Sequence, residues 1–197
     1  MSAKDLFEKT KERWLKYDIS RCANELSQMQ ERGRRDVLDK TDWGYYQFLP
    51  CLIDQTNPQQ VVELGGAMGV SALMILSSLP SQSKLYSITL EEGGLEFSYI
   101  TQQYQNFVPI VGNDLDLGVW PDMNLGDTDI WFIDSLHTFD HLTKELNLYS
   151  PYFKEGAILL FDDIKMPELW PVWRDLPYDK VDMSILHQPS GYGMAIV

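Results

Sequence analysis

Seven short apolar runs divide the chain from Pro58 onward, and the spacing between them limits the fold more than any other feature. The runs are QVVEL, KLYSITL, VPIVG, DIWFID, GAILLFD, KVDMSILH and YGMAIV. The stretches SALMILSSL, LEFSYITQQYQN and TFDHLTKELNLYSPYF lie between the first and second, second and third, and fourth and fifth runs, and each has helical length and period. Alternation of buried strands with amphipathic helices is the mark of a parallel sheet covered on both faces. Only QPSG separates the last two runs, too little for a crossover helix, so they must form an antiparallel hairpin. The expectation is an α/β, doubly wound, Rossmann-like fold with a seven-stranded mixed sheet, five strands parallel and closed by a C-terminal hairpin.

Residues 1–57 read as N-terminal helices in front of an α/β core at 58–197, the whole forming one domain. Two helices are expected between Ala3 and about Lys40, broken near Tyr17 to Ser20. A third is expected in TDWGYYQFLPCLIDQTNP, with Thr41 and Asp42 as candidate caps and Pro50 shortening or kinking it. The longest loop is NDLDLGVWPDMNLGDT, after the third strand.

Composition narrows the partners. With 16 Lys+Arg against 29 Asp+Glu the formal net charge is −13, a field that repels phosphate backbones and anionic headgroups. Nucleic acid and membrane surfaces are therefore set aside as partners, while a homo-oligomer stays open. Cys22 and Cys51 have no metal-type spacing and suit reduced thiols. The N-terminus mixes charges with isolated apolar residues, unlike a signal peptide or a spanning segment, so a cytoplasmic protein is expected.

In VVELGGAMGVSALMIL a strand carrying Glu63 meets Gly65, Gly66 and Gly69, with a helix starting near Val70 or Ser71. Glycines let backbone approach a ligand closely, and a new helix offers unpaired N–H groups. A dinucleotide fingerprint would need G-x-G-x-x-G, but Ala67 and Val70 occupy the later glycine positions. An acid before G-x-x-x-G resembles instead the first motif of class I S-adenosylmethionine-dependent methyltransferases. Three glycines in a strand-to-helix turn also suit an ordinary tight turn.

The resemblance sharpens in DTDIWFIDSLHTFDHLTKELNLYSPYFKEGAILLFDDIK. An apolar strand ending in Asp134, then His137, Phe139, the Lys154 and Gly156 turn, and a strand ending in Asp162 and Asp163 are similar to one group of small O-methyltransferases. That group contains the rhamnosyl O-methyltransferases and proteins labelled cephalosporin hydroxylase. The likeness runs from about Gln60 to Val197, through the SGYG turn of the hairpin.

The resemblance implies S-adenosylmethionine held by Glu63, Gly65, Gly66, Gly69 and Ser71, with Asp134 at the same pocket. Asn113 and Asp114 stand where relatives contact the adenine, although Gly-Asn-Asp is also an ordinary turn. Most relatives end the second strand with an acid for the ribose hydroxyls. Here Thr89 takes that place, and Glu91, two residues on and on the same face, is the nearest acid.

The resemblance further assigns Asp134, Asp162 and Asp163 to a divalent cation, magnesium by default. Crowded carboxylates beyond strand ends do suit a hard oxygen-seeking ion, though aspartates there also cap turns. His137 is expected beside that site as general base, taking the proton of a hydroxylated small-molecule acceptor, a sugar or natural product. His141 reads as a partly exposed polar residue and His187 as structural. Trp43, Tyr45, Tyr46 and Trp120 could line a substrate pocket, but aromatics on packed helices are more often core. The rivals are a metal-independent N- or C-methyltransferase of the same fold, an NAD-dependent oxidoreductase, and a catalytically silent binding protein.

Overall fold

The computed structural model describes residues 1–18, 20, 44–90, 94–187 and 190–197, without the side chains of 94–97. Its elements are α1 (Ala3–Trp14), α2 (Tyr45–Thr56), β1 (Gln60–Leu64), α3 (Val70–Leu76), β2 (Lys84–Thr89), α4 (Gly94–Gln103) and β3 (Phe107–Val111). They continue as β4 (Ile130–Ile133), α5 (Phe139–Tyr149), β5 (Ile158–Asp162), α6 (Trp170–Asp175), β6 (Asp179–Asp182) and β7 (Tyr192–Ile196). The strands form one sheet in the order β3-β2-β1-β4-β5-β7-β6. Strands β1 to β5 are mutually parallel where they pair, whereas β7 runs antiparallel to both β5 and β6.

Side chains two apart on a strand share a face, and this splits the core in two. Val61, Leu85, Phe132, Leu160 and Met194 face one layer, where α1, α2 and α3 bring Leu6, Phe7, Phe48, Leu52 and Leu73. Val62, Ile88, Trp131, Ile133, Leu159 and Phe161 face the other, against Leu142 and Tyr149 of α5 and Trp173 of α6. The near-continuous apolar character of β4 and β5 follows from burial on both faces.

Helix α1 is capped by Ser2, whose hydroxyl accepts from the Asp5 amide, and is pinned to the sheet edge by Ala3 N–H donating to Asp179 at 2.7 Å. Pro50 lies inside α2, which runs on to a left-handed Asn57, so the proline does not shorten it. Helix α1 ends at Trp14, ahead of the expected break near Tyr17 to Ser20, of which Ile19 lies outside the described residues, as do the second expected helix, Cys22 and the candidate caps Thr41 and Asp42. Cys51 is a buried thiol that donates to the Gln47 carbonyl at 3.4 Å. The long loop after β3 carries two short 3-10 turns, Leu117–Val119 and Leu125–Asp127, each capped by an Asp or Asn side chain.

One strand is shorter than its apolar run. The expected strand KVDMSILH ends at Asp182, because Asp182 Oδ1 accepts from the Ser184 amide at 2.8 Å and turns the chain into the 3-10 segment Ser184–Leu186. His187 therefore lies in the connection between β6 and β7 rather than in a strand. Among the described residues, no helix is long and apolar enough to cross a membrane.

Candidate active site

The carboxyl ends of β1 to β5 all open on one edge of the sheet, and the strand order reverses between β1 and β4, where open α/β folds collect their ligands. A cavity of about 280 Å³ lies at this edge, lined by Gly65, Thr89, Gly112, Asp114, Asp134 and His141 among others.

Gly65 is required by its surroundings. Its φ is +99°, and a Cβ there would stand 1.9 Å from the backbone oxygen of Asp134. The turn is thus pressed against the end of β4, bringing Asp134 to the cavity. The Gly65 and Gly66 amides donate to the Ile88 carbonyl at 3.0 and 2.9 Å, so they brace the turn against β2 rather than being left open for a ligand. Gly69, also left-handed, precedes α3.

Behind the turn, Glu63 is fully buried and accepts hydrogen bonds from the Ser71 and Ser87 hydroxyls. Burial pushes its carboxyl up to about 7, against the opposing pull of those two hydroxyls. Glu63 and Ser71 therefore support the cavity from beneath, while Gly65, Thr89, Asp114 and Asp134 line it. Asn113 closes an Asx turn, its side chain accepting from the Leu115 amide at 3.0 Å. Glu91 and Trp43 lie outside the described residues.

The acids form a second cluster sharing Asp134. His137 sits just before α5, whose cap is Thr138, and its ring bridges two carboxylates: Nε2 is 3.1 Å from Asp134 Oδ1 and Nδ1 is 3.0 Å from Asp163 Oδ2. Its side chain is 36% exposed. The hydrogen bond to Asp134 raises the ring's pKa, and burial only partly offsets it. Asp163 adopts a left-handed backbone with φ of 59°, uncommon for a side-chain-bearing residue and turning it off the end of β5.

Burial works against ionised Asp163, but hydrogen bonds from His187 and Ser190 and the field of His137 hold it below the usual carboxylate range. Asp162 goes the other way: burial, then the charge of Asp134, pushes its carboxyl well up. Among the described residues there are three potential ligand groups: Asp134–His137–Asp163 and Asp162–Asp163–His187 in this cluster, and Asp114–His141–Glu145 on the α5 side of the cavity. The two groups in this cluster share Asp163 and each is completed by a histidine, and neither contains all three of the expected aspartates.

Several residues for which the sequence offered only a polar, structural or pocket-lining reading have defined places here. His187, 1% exposed and read as structural, places Nε2 2.9 Å from Ser190 Oγ and 3.4–3.5 Å from Asp163 and Asp162. Tyr45, at the start of α2, lies against His187 with ring centroids 5.1 Å apart and stacks on Tyr192. Tyr45 is thus core, as is the partly buried Tyr46 packed against it, and Trp120 donates to the Tyr149 hydroxyl at 3.0 Å. His141 is more enclosed than its sequence context suggests, with a side chain 13% exposed and Nε2 3.0 Å from Asp114 Oδ2.

Strand order, glycine turn and acid cluster together define a class I methyltransferase fold. Residues 62–164, just over half of the chain, match the methyltransferase domain family, and the chain belongs to that family. No curated protein sequence matches it. Among solved structures it is similar to cofactor-bound Rv0187 from MTB, with a TM-score of 0.68 at 16% identity over 91% of this chain and 90% of that one. It is also similar to the O-methyltransferase TomG of Streptomyces achromogenes, involved in tomaymycin synthesis and solved with SAM: TM-score 0.64, 19% identity, 94% and 97% covered. A third is an O-methyltransferase from Bacillus cereus in complex with SAH: TM-score 0.61, 15% identity, 88% and 90% covered.

Proposed function

We propose that the chain transfers the methyl group of S-adenosylmethionine to a hydroxyl oxygen of a small molecule, a sugar or natural product, with His137 as general base. The observation that carries this reading is Asp134, which lines the cavity behind the glycine turn and also belongs to the acid cluster that holds His137. Donor site and proton-accepting site therefore meet at one residue, as in-line transfer requires.

S-adenosylmethionine supplies an activated methyl on sulfur. The acceptor oxygen attacks that carbon, the carbon–sulfur bond breaks with its electron pair left on sulfur, and the hydroxyl proton passes to His137. Gly65, Thr89 and Asp114 line the donor cavity, and Asp114 would meet the nucleobase.

Asp134, Asp162 and Asp163 would hold a divalent cation, magnesium by default. Their donor set is all oxygen, and the charge of Asp134 adds to burial in pushing the Asp162 carboxyl up. A cation there acidifies a nearby hydroxyl. It would also offset the two carboxylates that favour the protonated His137 ring, and a base must be neutral to accept a proton. Helices in 1–57 belong to the same domain, with Tyr45 as their contribution beside His187.

A second reading has its own support. The His137 ring already bridges Asp134 and Asp163, satisfying both without a metal ion, and this favours metal-independent transfer. Incubation with labelled donor and a panel of hydroxylated sugars and polyketides, amines and carbon nucleophiles, with and without chelator, decides. Labelled product that disappears with chelator and returns with magnesium supports the first reading. Full turnover in chelator supports the second, and label appearing only on nitrogen or carbon acceptors refutes hydroxyl transfer.

A further inference from the structure

A second cavity, of about 390 Å³, lies between α5 and α6 and shares no lining residue with the donor cavity. Phe139, Thr143, Leu146 and Asn147 line it at three- and four-residue intervals, so α5 turns one face onto it along its length. Pro171 and Val172 of α6 form the opposite wall. Beyond the last turn of α5, Phe153 and Tyr178 meet edge to face with ring centroids 6.4 Å apart and bound the far end.

The near end is the one beside the proton acceptor. Phe139 is two residues on from His137, and its amide donates to Glu168 Oε2 at 3.4 Å, which ties the start of α5 to the segment leading into α6. Leu136, Phe139 and Trp170, in the segments that follow β4 and β5, are left 43–58% exposed. Large apolar side chains gathered at the mouth of a groove mark a binding surface, as single scattered ones do not.

Size, length and charge choose the occupant. The volume is at the small end of the ~300–1,000 Å³ range of ligand pockets, which suits one small molecule rather than a protein surface. The 11 residues of α5 span about 16 Å, which suits an elongated one. Asp175, the one carboxylate in the lining, has both oxygens bound by Arg174 at 2.7 Å, and among the described residues no Lys, Arg or His lines the groove. A charged ligand would find no partner there, so the occupant is neutral.

We propose that the groove between α5 and α6 holds the apolar body of the methyl acceptor, whose hydroxyl emerges past Phe139 towards His137. This rests on the hydroxyl-transfer reading and narrows its acceptor to an uncharged, elongated aromatic or aliphatic alcohol, away from a free sugar. Burial against Phe139, Leu146, Val172 and Tyr178 supplies the affinity, and Thr143 and Asn147 offer a hydroxyl and an amide to a polar substituent.

The test is calorimetric titration of the full chain with 4-phenylphenol, a neutral two-ring rod with a terminal hydroxyl, and with phenol. The first should bind at one site and on the order of tenfold or more tighter than the second, the gain expected from burying a further ring. Asn147→Trp, at an exposed position of α5, and Thr143→Phe should each fill the groove and weaken 4-phenylphenol by about tenfold or more, with S-adenosylhomocysteine affinity unchanged. In the unaltered protein 4-phenylphenol should also shift the His137 ring-proton resonance, assigned by its loss in His137→Gln.

No saturable binding of 4-phenylphenol by the unaltered protein, or undiminished binding by folded Asn147→Trp, overturns the proposal. A His137 resonance that 4-phenylphenol leaves unmoved overturns the acceptor role. Sedimentation showing a dimer that Asn147→Trp dissociates makes the groove an interface between two copies, which overturns it as well. Failure of S-adenosylhomocysteine to bind overturns the donor reading alone and leaves the 4-phenylphenol titration standing.

Discussion

Replacing Glu63 by Gln isolates the cost of a buried carboxylate beneath the glycine turn. The carboxyl moves from an ordinary 4.5 to about 7 on folding, chiefly because burial disfavours the charge. A raised acid stabilises the fold while protonated. That contribution is complete below about pH 4.5, declines as pH rises, and is lost once pH passes through about 7. The interval is ~2.5 pH units, and at ~1.4 kcal/mol per unit the loss is about 3 kcal/mol.

Gln has no proton to lose, and of the Ser71 and Ser87 hydroxyls that donate to Glu63 one can go on donating to its carbonyl oxygen while the other accepts from its amide. Urea unfolding followed by tryptophan fluorescence, with Trp131 wholly buried as a reporter, gives both stabilities across about pH 5 to about pH 8. Other titrating groups are common to the two proteins and cancel in the difference. The Gln variant should gain roughly 2–3 kcal/mol on the unaltered protein over that range. Parallel stability curves would refute the burial account of Glu63.

Gly65→Ala should cost about 2 kcal/mol or more of stability and abolish nucleoside binding, because the new Cβ meets the Asp134 backbone oxygen at 1.9 Å; an unchanged melting temperature would contradict it. Asp162→Ala should leave methyl transfer unresponsive to added magnesium while cofactor binding measured by calorimetry survives, and restoration by magnesium would remove Asp162 from the cation site. His137→Ala should lower turnover by about 10²–10⁴-fold with cofactor affinity nearly unchanged. Near-normal turnover on a verified acceptor would send the search for a base to solvent or to the substrate.

What the sequence disclosed was local. Strands, crossover helices and hairpin could be read because apolar runs and their separations are chain-local signals, and Glu63, Gly65 and Asp134 lie at strand ends that those signals locate. His141 escaped because its partner Asp114 is 27 residues away, across the loop after β3. The same separation divides Ser190 from Asp163, which the hairpin returns to the end of β5. Glu145 looks like an ordinary helix-surface acid until the helix is docked, when its face proves to be turned onto Ser135. The end of β6 was misplaced for a different reason. MSIL carries strand-like apolar residues, but the preceding Asp182 turns the backbone, and side-chain capping wins over the apolar run.

Isothermal titration calorimetry of the unaltered protein with S-adenosylhomocysteine and with NAD separates a methyltransferase pocket from a dinucleotide pocket. One site for S-adenosylhomocysteine and no heat for NAD are expected, with the fold stabilised by about 2.7 kcal/mol at a hundredfold excess over Kd. Saturable binding of NAD with none of S-adenosylhomocysteine would contradict it.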